Sequence, residues 1–287
     1  MSVVASLSCK PNPRGLAVDV SGRDKMADAK ILIGTSGYSF ADWVGPFYPE
    51  KIEKGKMLDY YLDHFKTVEI NSTYYRIPHA AVFYHLVNKV PDDFEFIVKT
   101  HRSFTHDRKD LKEPTGQFNE AIKPMGESGQ LKGLLAQFPW SFKFSPANLQ
   151  YILDGKDYFG DHPLFVEFRH DSWDKPEVYA SLKENRIGFC CVDEPALEHM
   201  FPSVALATTE TAYIRFHGRN MVDWWKPRPG SNRYNYDYKK EELADWIKKI
   251  NKLKQNAEKV YLFFNNCHHG QAVKSAKLMQ EMLQLEL

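Results

Sequence analysis

The chain has 287 residues, 43% of them hydrophobic, enough for one large core or two small ones. Lys plus Arg (38) nearly equals Asp plus Glu (37), which excludes a global field pulling the protein toward nucleic acid or membrane. No run approaches the roughly 18 apolar residues of a membrane span, and four cysteines, two adjacent at Cys190 and Cys191, form no disulfide framework and point to a reducing cytoplasm.

In chain order, residues 1–29 come first. They hold Pro11, Pro13, Gly15 and Gly22 with scattered charge and no sustained periodicity, and read as a flexible extension with Met26 as an alternative start. VVASL is too short for the apolar core of a secretory signal, and Lys10 follows it rather than precedes it. From Lys30 two kinds of segment alternate. ILIGTS (31–36), TVEIN (67–71), FEFIVKT (94–100), LKGLLAQF (131–138), LFVEFRH (164–170), IGFCCVD (187–193), AYIRFHG (212–218) and KVYLFFNN (259–266) are of strand length, with first halves apolar on both faces. Burial of both faces is what a parallel sheet covered by helices demands.

Between them lie helical stripes. Leu58, Tyr61, Leu62 and Phe65 fall at i, i+3, i+4 and i+7, as do Leu243, Trp246, Ile247 and Ile250; Ala272, Ala276, Met279 and Leu283 make a similar face. Segments 80–89, 115–127, 146–156 and 175–185 are shorter helix candidates. Eight strands with helical crossovers over about 255 residues predict a single-domain TIM-like (β/α)8 barrel spanning 30–287. A doubly wound sheet would carry a glycine-rich phosphate turn after its first strand, and GTSG (34–37) has only two glycines.

Barrels of this kind build their site at the C-terminal strand ends. Those ends supply Thr35 and Ser36, Glu69 and Asn71, Lys99 and His101, Gln137, Glu167 and Arg169, Asp193 and Glu194, Arg215, His217 and Arg219, and Asn265 and Asn266. In four strands the polar pair sits at i and i+2, which places both side chains on one face. If that face points inward the groups converge, with Glu69, Glu167 and Asp193 set against Lys99, Arg169 and Arg215. Such pairs can simply hold a fold, but apolar packing is the less costly solution where nothing has to bind. Eight strands agreeing therefore point to a pocket.

IGTSGYSFADWVGPFYP (33–49), VEINSTYYRIP (68–78), FRHDSW (168–173), VDEP (192–195), YIRFHGR (213–219), RYNYDY (233–238) and FFNNCHHGQA (263–272) occur in that order. Together they resemble the YecE-like family, domain of unknown function 72, over nearly all of 31–283. The resemblance implies a single-domain TIM-like barrel and no established reaction. Tyr38 stands where that family often has tryptophan, and residues 1–29 extend beyond its usual start.

An anion site fits the ring best. Arg169, Arg215 and Arg219 offer planar forks matched to carboxylate or phosphate, and the loop of Gly34, Ser36 and Gly37 offers backbone amides. Glu69, Glu167 and His217 are the candidate catalytic acid/base groups of a hydrolase or lyase. Ser36, Asn71, Lys99, Asp193 and Asn265 complete the expected ligand contacts, and a small anionic, phosphorylated molecule is the expected ligand. A metal centre of Glu69, Glu167, Asp193 and His217 is the alternative that nearby Lys99, Arg169 and Arg215 oppose by charge. The Cys267-His268-His269 run reads as a helix opening rather than a ligand set, and His101 and His106 as surface loop histidines. Residues 219–238 mix Arg219, Lys226, Arg228 and Arg233 with aromatics, so a nucleic-acid-binding or nucleolytic barrel is the second reading and a non-catalytic interaction protein the third. No nicotinamide fingerprint or G-x-S-x-G elbow is present, and the residues specify no other cofactor.

Overall fold

The computed structural model describes residues 29–226 and 232–284. The expected N-terminal extension, Ala29 apart, lies outside the described residues, as does Arg228. Eight strands appear where the apolar runs place them: β1 (Lys30–Thr35), β2 (Thr67–Ile70), β3 (Glu95–Lys99), β4 (Leu131–Gln137), β5 (Leu164–Glu167), β6 (Gly188–Asp193), β7 (Thr211–Phe216) and β8 (Lys259–Phe264). All pairings are parallel, in the order β1-β8-β7-β6-β5-β4-β3-β2. The remaining seam, between β1 and β2, is closed by a bridge from Ser36 to Glu69, where Gly37 N donates to Glu69 O at 2.8 Å. Gly34 makes the seam sterically feasible: a Cβ there would lie 2.3 Å from Thr67 O.

Among the described residues, seven α-helices cover the barrel: α1 (Met57–Leu62), α2 (Ala80–Val87), α3 (Lys112–Glu127), α4 (Pro146–Gly155), α5 (Pro176–Glu184), α6 (Lys240–Leu253) and α7 (Gln271–Leu283). Their starts are locally encoded. Ser145 Oγ accepts from Asn148 N at 3.1 Å to cap α4, whose first residue is Pro146, and Pro176 occupies the matching position of α5. Their apolar stripes meet the outward strand faces, as where Leu243, Trp246 and Ile250 of α6 are buried in the same core as Ile214, Phe216 and Leu262. Each such side chain contributes roughly 1.5–3 kcal/mol by leaving water. One crossover departs from the expected pattern. Residues 194–210, between β6 and β7, carry no helix and pack the short apolar run Val204–Ala207 on the core instead. Thr208 anchors it, accepting from Phe189 N at 2.7 Å and donating to Ile187 O at 2.6 Å. A cleft of about 1120 Å³ lies beside it, lined in part by Pro163, Gly188, Leu206 and Thr208.

The barrel interior is layered along its axis. At the N-terminal end Glu95 accepts from Lys30, Lys259 and Tyr261. Above it Leu32, Ile97, Leu135, Phe165, Tyr213 and Phe263 form an apolar plug. Beyond the plug, toward the C-terminal strand ends, the i, i+2 step brings Lys99, Gln137, Glu167, Arg215 and Asn265 inward, while β6 places Val192 at that level and Glu194 one step higher. No helix among the described residues is long and apolar enough to cross a membrane.

Candidate functional site

One relay of buried groups runs across the mouth. Tyr213 OH donates to Glu69 Oε2, and Glu69 Oε1 accepts from Arg215 Nη2 at 2.7 Å. Arg215 Nη1 donates to Glu167 Oε2 at 2.6 Å, and Glu167 Oε1 lies 2.6 Å from Arg169 Nε. Arg169 Nη1 then donates to Glu194 Oε2 at 2.6 Å. Arg215, Glu69 and Glu167 have side chains only 1%, 0% and 0% exposed, so these charges face protein rather than water. Such charges persist only when paired.

Two further inward groups join the relay. Asn265 Nδ2 donates to His217 Nδ1 at 3.0 Å, which leaves the imidazole proton on Nε2, facing Glu167 Oε1 at 3.2 Å. Lys99 Nζ donates to Gln137 Oε1 at 2.9 Å and lies 4.6 Å from the centre of the Tyr74 ring. Gln137 Nε2 donates to Phe138 O at 2.8 Å, which turns its carbonyl oxygen toward the lysine.

Burial sorts the protonation states. It opposes charge on Glu167, but Arg169 and Arg215 outweigh it and hold that carboxyl well below the usual carboxylate range. Glu194 goes the other way: burial, with Glu167 adding to it, outweighs Arg169 and pushes its carboxyl up to about 8. Burial, then Arg169, pushes His217 down to about 3. Burial, then Arg215, pushes the Lys99 ammonium down to about 7 against the pull of Glu167 and Glu69. Two carboxylates on one guanidinium thus hold opposite protonation states near neutrality. His217 also predicts a pH dependence. Because its folded pKa is depressed, the unfolded chain gains a proton below about pH 6.5 while the folded protein does not, and stability is lost as pH falls. His217→Gln removes that contribution, so the gap in unfolding free energy between wild type and variant narrows by about 2 kcal/mol from pH 7.5 to pH 5 in urea titrations.

Of the residues expected from sequence, Ser36, Glu69, Lys99, Glu167, Arg169, Arg215, His217 and Asn265 come together. Ser36 Oγ lies 3.4 Å from Arg215 Nη2, but the Ser36 and Gly37 amides are occupied in barrel closure, donating to Phe264 O (3.0 Å) and Glu69 O (2.8 Å). Asn71 follows Glu69 in a helical turn rather than an extended step, and its Oδ1 is buried without a hydrogen-bond partner. Asp193 and Arg219 are corrections: they pair outside the ring. Asp193 is in register with outward-facing Phe216 and accepts from Trp246 Nε1 (2.6 Å), Tyr238 OH (2.6 Å), Arg219 Nε (2.8 Å) and Arg219 Nη2 (2.6 Å). Arg219 misses the ring because Gly218, at φ +86°, breaks the alternation that carries Arg215 and His217 inward. The four residues of the metal alternative therefore do not converge.

Glu194 is the inward residue missing from the ligand contacts expected from sequence. VDEP offers two adjacent acids, and nothing local says which faces the axis. His106 differs from its surface reading: it packs against Tyr74 with ring centres 5.0 Å apart, and burial, then Lys99, pushes it down to about 4. His101 is partly buried, its Nδ1 3.0 Å from Ser103 Oγ. The Cys267-His268-His269 run opens α7 through a turn at His268–Gly270. Aromatics roof the ring: Arg169 lies 5.9 Å from the Trp224 ring centre, and the Tyr234 ring centre is 6.3 Å from that of His217. Among the described residues, donor atoms close enough to share a cation occur at His170, Asp171 and His199, on the rim.

The fold and this arrangement define a single-domain (β/α)8 barrel with an ionisable ring at the C-terminal end of its axis. The chain belongs to the family described as Protein of unknown function DUF72, which matches residues 32–287. It is 36% identical over 273 residues to the UPF0759 protein YunF of Bacillus subtilis, covering 89% of this chain and 95% of that one. A DUF72 family protein from Thermotoga maritima superposes with a TM-score of 0.82 at 41% identity, over 89% of this chain and 99% of the other. A second, from Enterococcus faecalis, gives 0.80 at 28% identity, over 90% and 96%.

Proposed function

We propose that the mouth binds a small anionic, phosphorylated ligand and performs acid/base hydrolase or lyase chemistry on it. The charge of the ring carries this reading. With Glu194 and His217 neutral near pH 7, Arg169 and Arg215 stand against Glu69 and Glu167, and the uncompensated positive charge is that of Lys99 in its protonated form, which a bound anion favours and which has no carboxylate partner among the described residues. Glu194 is the proton donor, and Glu167, ionised beside neutral His217, is the base. Arg169 and Arg215 orient these carboxylates, Asn265 sets the tautomer of His217, and Asn71 and Ser36 offer polar contacts at the rim. Among the described residues the cysteines Cys190, Cys191 and Cys267 are free, which accords with a reducing cytoplasm.

A thermal-shift panel tests the reading with phosphorylated metabolites, short oligonucleotides and divalent metals. A ligand at about 100 times its Kd adds roughly 2.7 kcal/mol, or about 5 °C or more in midpoint. Phosphorylated metabolites are expected to shift wild type, and Lys99→Met to weaken them by about tenfold or more, the worth of one charge-assisted contact. Glu194→Gln keeps the neutral contact with Arg169 and is expected to bind within about twofold of wild type. A shift produced by oligonucleotides alone moves the reading to nucleic acid, and no shift from any class overturns a ligand site.

A further inference from the structure

Three cations end on the inward face of the barrel, and two are fully engaged. Arg215 is held by Glu69 and Glu167, and Arg169 by Glu167 and Glu194. Lys99 is different. Its Nζ has one acceptor, the neutral amide oxygen of Gln137, and one aromatic face, Tyr74. A lysine that merely balanced charge would sit against a carboxylate; among the described residues no carboxylate oxygen lies within 4 Å of this one. It stands at the C-terminal end of β3, two residues beyond Ile97 of the apolar plug, and so points up the axis into the mouth. His106 and Tyr74 face it from the β2 and β3 loops, and Arg169, Arg215, Glu69 and Glu167 from the ring.

We propose that Lys99 is an amine nucleophile that forms an imine with the carbonyl carbon of a small aldehyde or ketone bearing a phosphate or carboxylate. This rests on the mouth being the anion site proposed above, and it names the substrate class. With its ammonium pushed down to about 7, a large fraction of Lys99 carries a free lone pair near neutral pH. In the step, the nitrogen lone pair bonds to the carbonyl carbon and one N–H proton passes to the former carbonyl oxygen. The carbinolamine C–O bond then breaks. The oxygen leaves as water with a second proton taken up from solvent in the mouth, and the nitrogen becomes a protonated imine. No oxidant or reductant is required. The iminium keeps a positive charge where the anionic ligand needs one, and withdraws electrons from the adjacent C–C or C–H bond, as a lyase requires.

The test is borohydride trapping of the full-length protein with glyoxylate or glyceraldehyde 3-phosphate near pH 7.5, with the modified residue located by peptide mass spectrometry. Reduction is expected to fix the adduct on Lys99 at least about tenfold faster than on surface lysines, whose amines are almost wholly protonated at that pH. Lys99→Arg keeps a cation but not the nucleophile, and is expected to lose the Lys99 adduct while trapping on surface lysines continues at the wild-type rate. Binding to wild type with no preference for Lys99 in the trapped product overturns the imine and leaves the anion site standing. Neither binding nor trapping overturns both.

Discussion

Arg215→Ala is expected to lower the unfolding free energy by about 3–5 kcal/mol, because it leaves buried carboxylates without their cation. In a chain of this size that is roughly 10 °C of melting midpoint. The two affected groups suffer unequally. Glu167 keeps Arg169 and faces His217, whereas Glu69 keeps only the hydroxyl of Tyr213. The defect should therefore shrink as pH falls, since a stranded carboxylate relieves its burial by taking up a proton. Restoring apolar balance with Glu69→Gln, Glu167→Gln and Arg215→Met together should recover much of the loss, because a buried ion network replaced as a unit is often close to neutral. Calorimetry of the single and triple variants decides it. An unchanged midpoint in Arg215→Ala would mean that water reaches these groups and that the ring is not the sealed relay described above.

Asp193→Ala is expected to cost a similar 3–5 kcal/mol, although no ligand-binding role is needed to explain it. This one carboxylate, 1% exposed, gathers an indole N–H, a phenol O–H and two guanidinium N–H groups. Its removal strands donors on Trp246 of α6, on Tyr238 and on Arg219 at once, and so loosens the β7–α6 connection that roofs the mouth. Asp193→Asn keeps one acceptor oxygen and should lose clearly less. Urea unfolding followed by tryptophan fluorescence reads both variants, with Trp246 as a local reporter. A loss below about 1 kcal/mol for Asp193→Ala would place the residue in solvent rather than in the core, against its burial here.

The inward ring shows what residue spacing can convey. RFHGR carries three strong hydrogen-bonding groups at alternate positions, and two of them share the inward face. Arg215 and His217 obey the period of two and converge with Glu69, Glu167 and Asn265. Arg219 obeys it only on paper, because the chain turns at Gly218, φ +86°, where a Cβ would meet Tyr236 at 2.6 Å. At the end of β6 the structure differs from the expected register by one residue: of the adjacent acids, Asp193 faces α6 and Glu194 faces the axis. A one-residue change of register moves a side chain to the opposite face. The missing helix between β6 and β7 follows similar logic, since Val204–Ala207 is too short to present a helical stripe and buries itself as an irregular segment.

The sequence by itself determined the number and order of the strands, the faces of the helices, the barrel they build and the family to which the chain belongs. These follow from local periodicity, capping and composition, each written within a few adjacent residues. Only the tertiary structure decided which polar groups meet and which protons they hold. Arg215 and Glu69 lie 146 positions apart, and Arg215 and Glu167 lie 48 apart. The opposite states of Glu167 and Glu194, and the lowered pKa of Lys99, arise from burial and from charges brought across the barrel axis. Desolvation and Coulomb interaction depend on distance in space, and no spacing along the chain contains them.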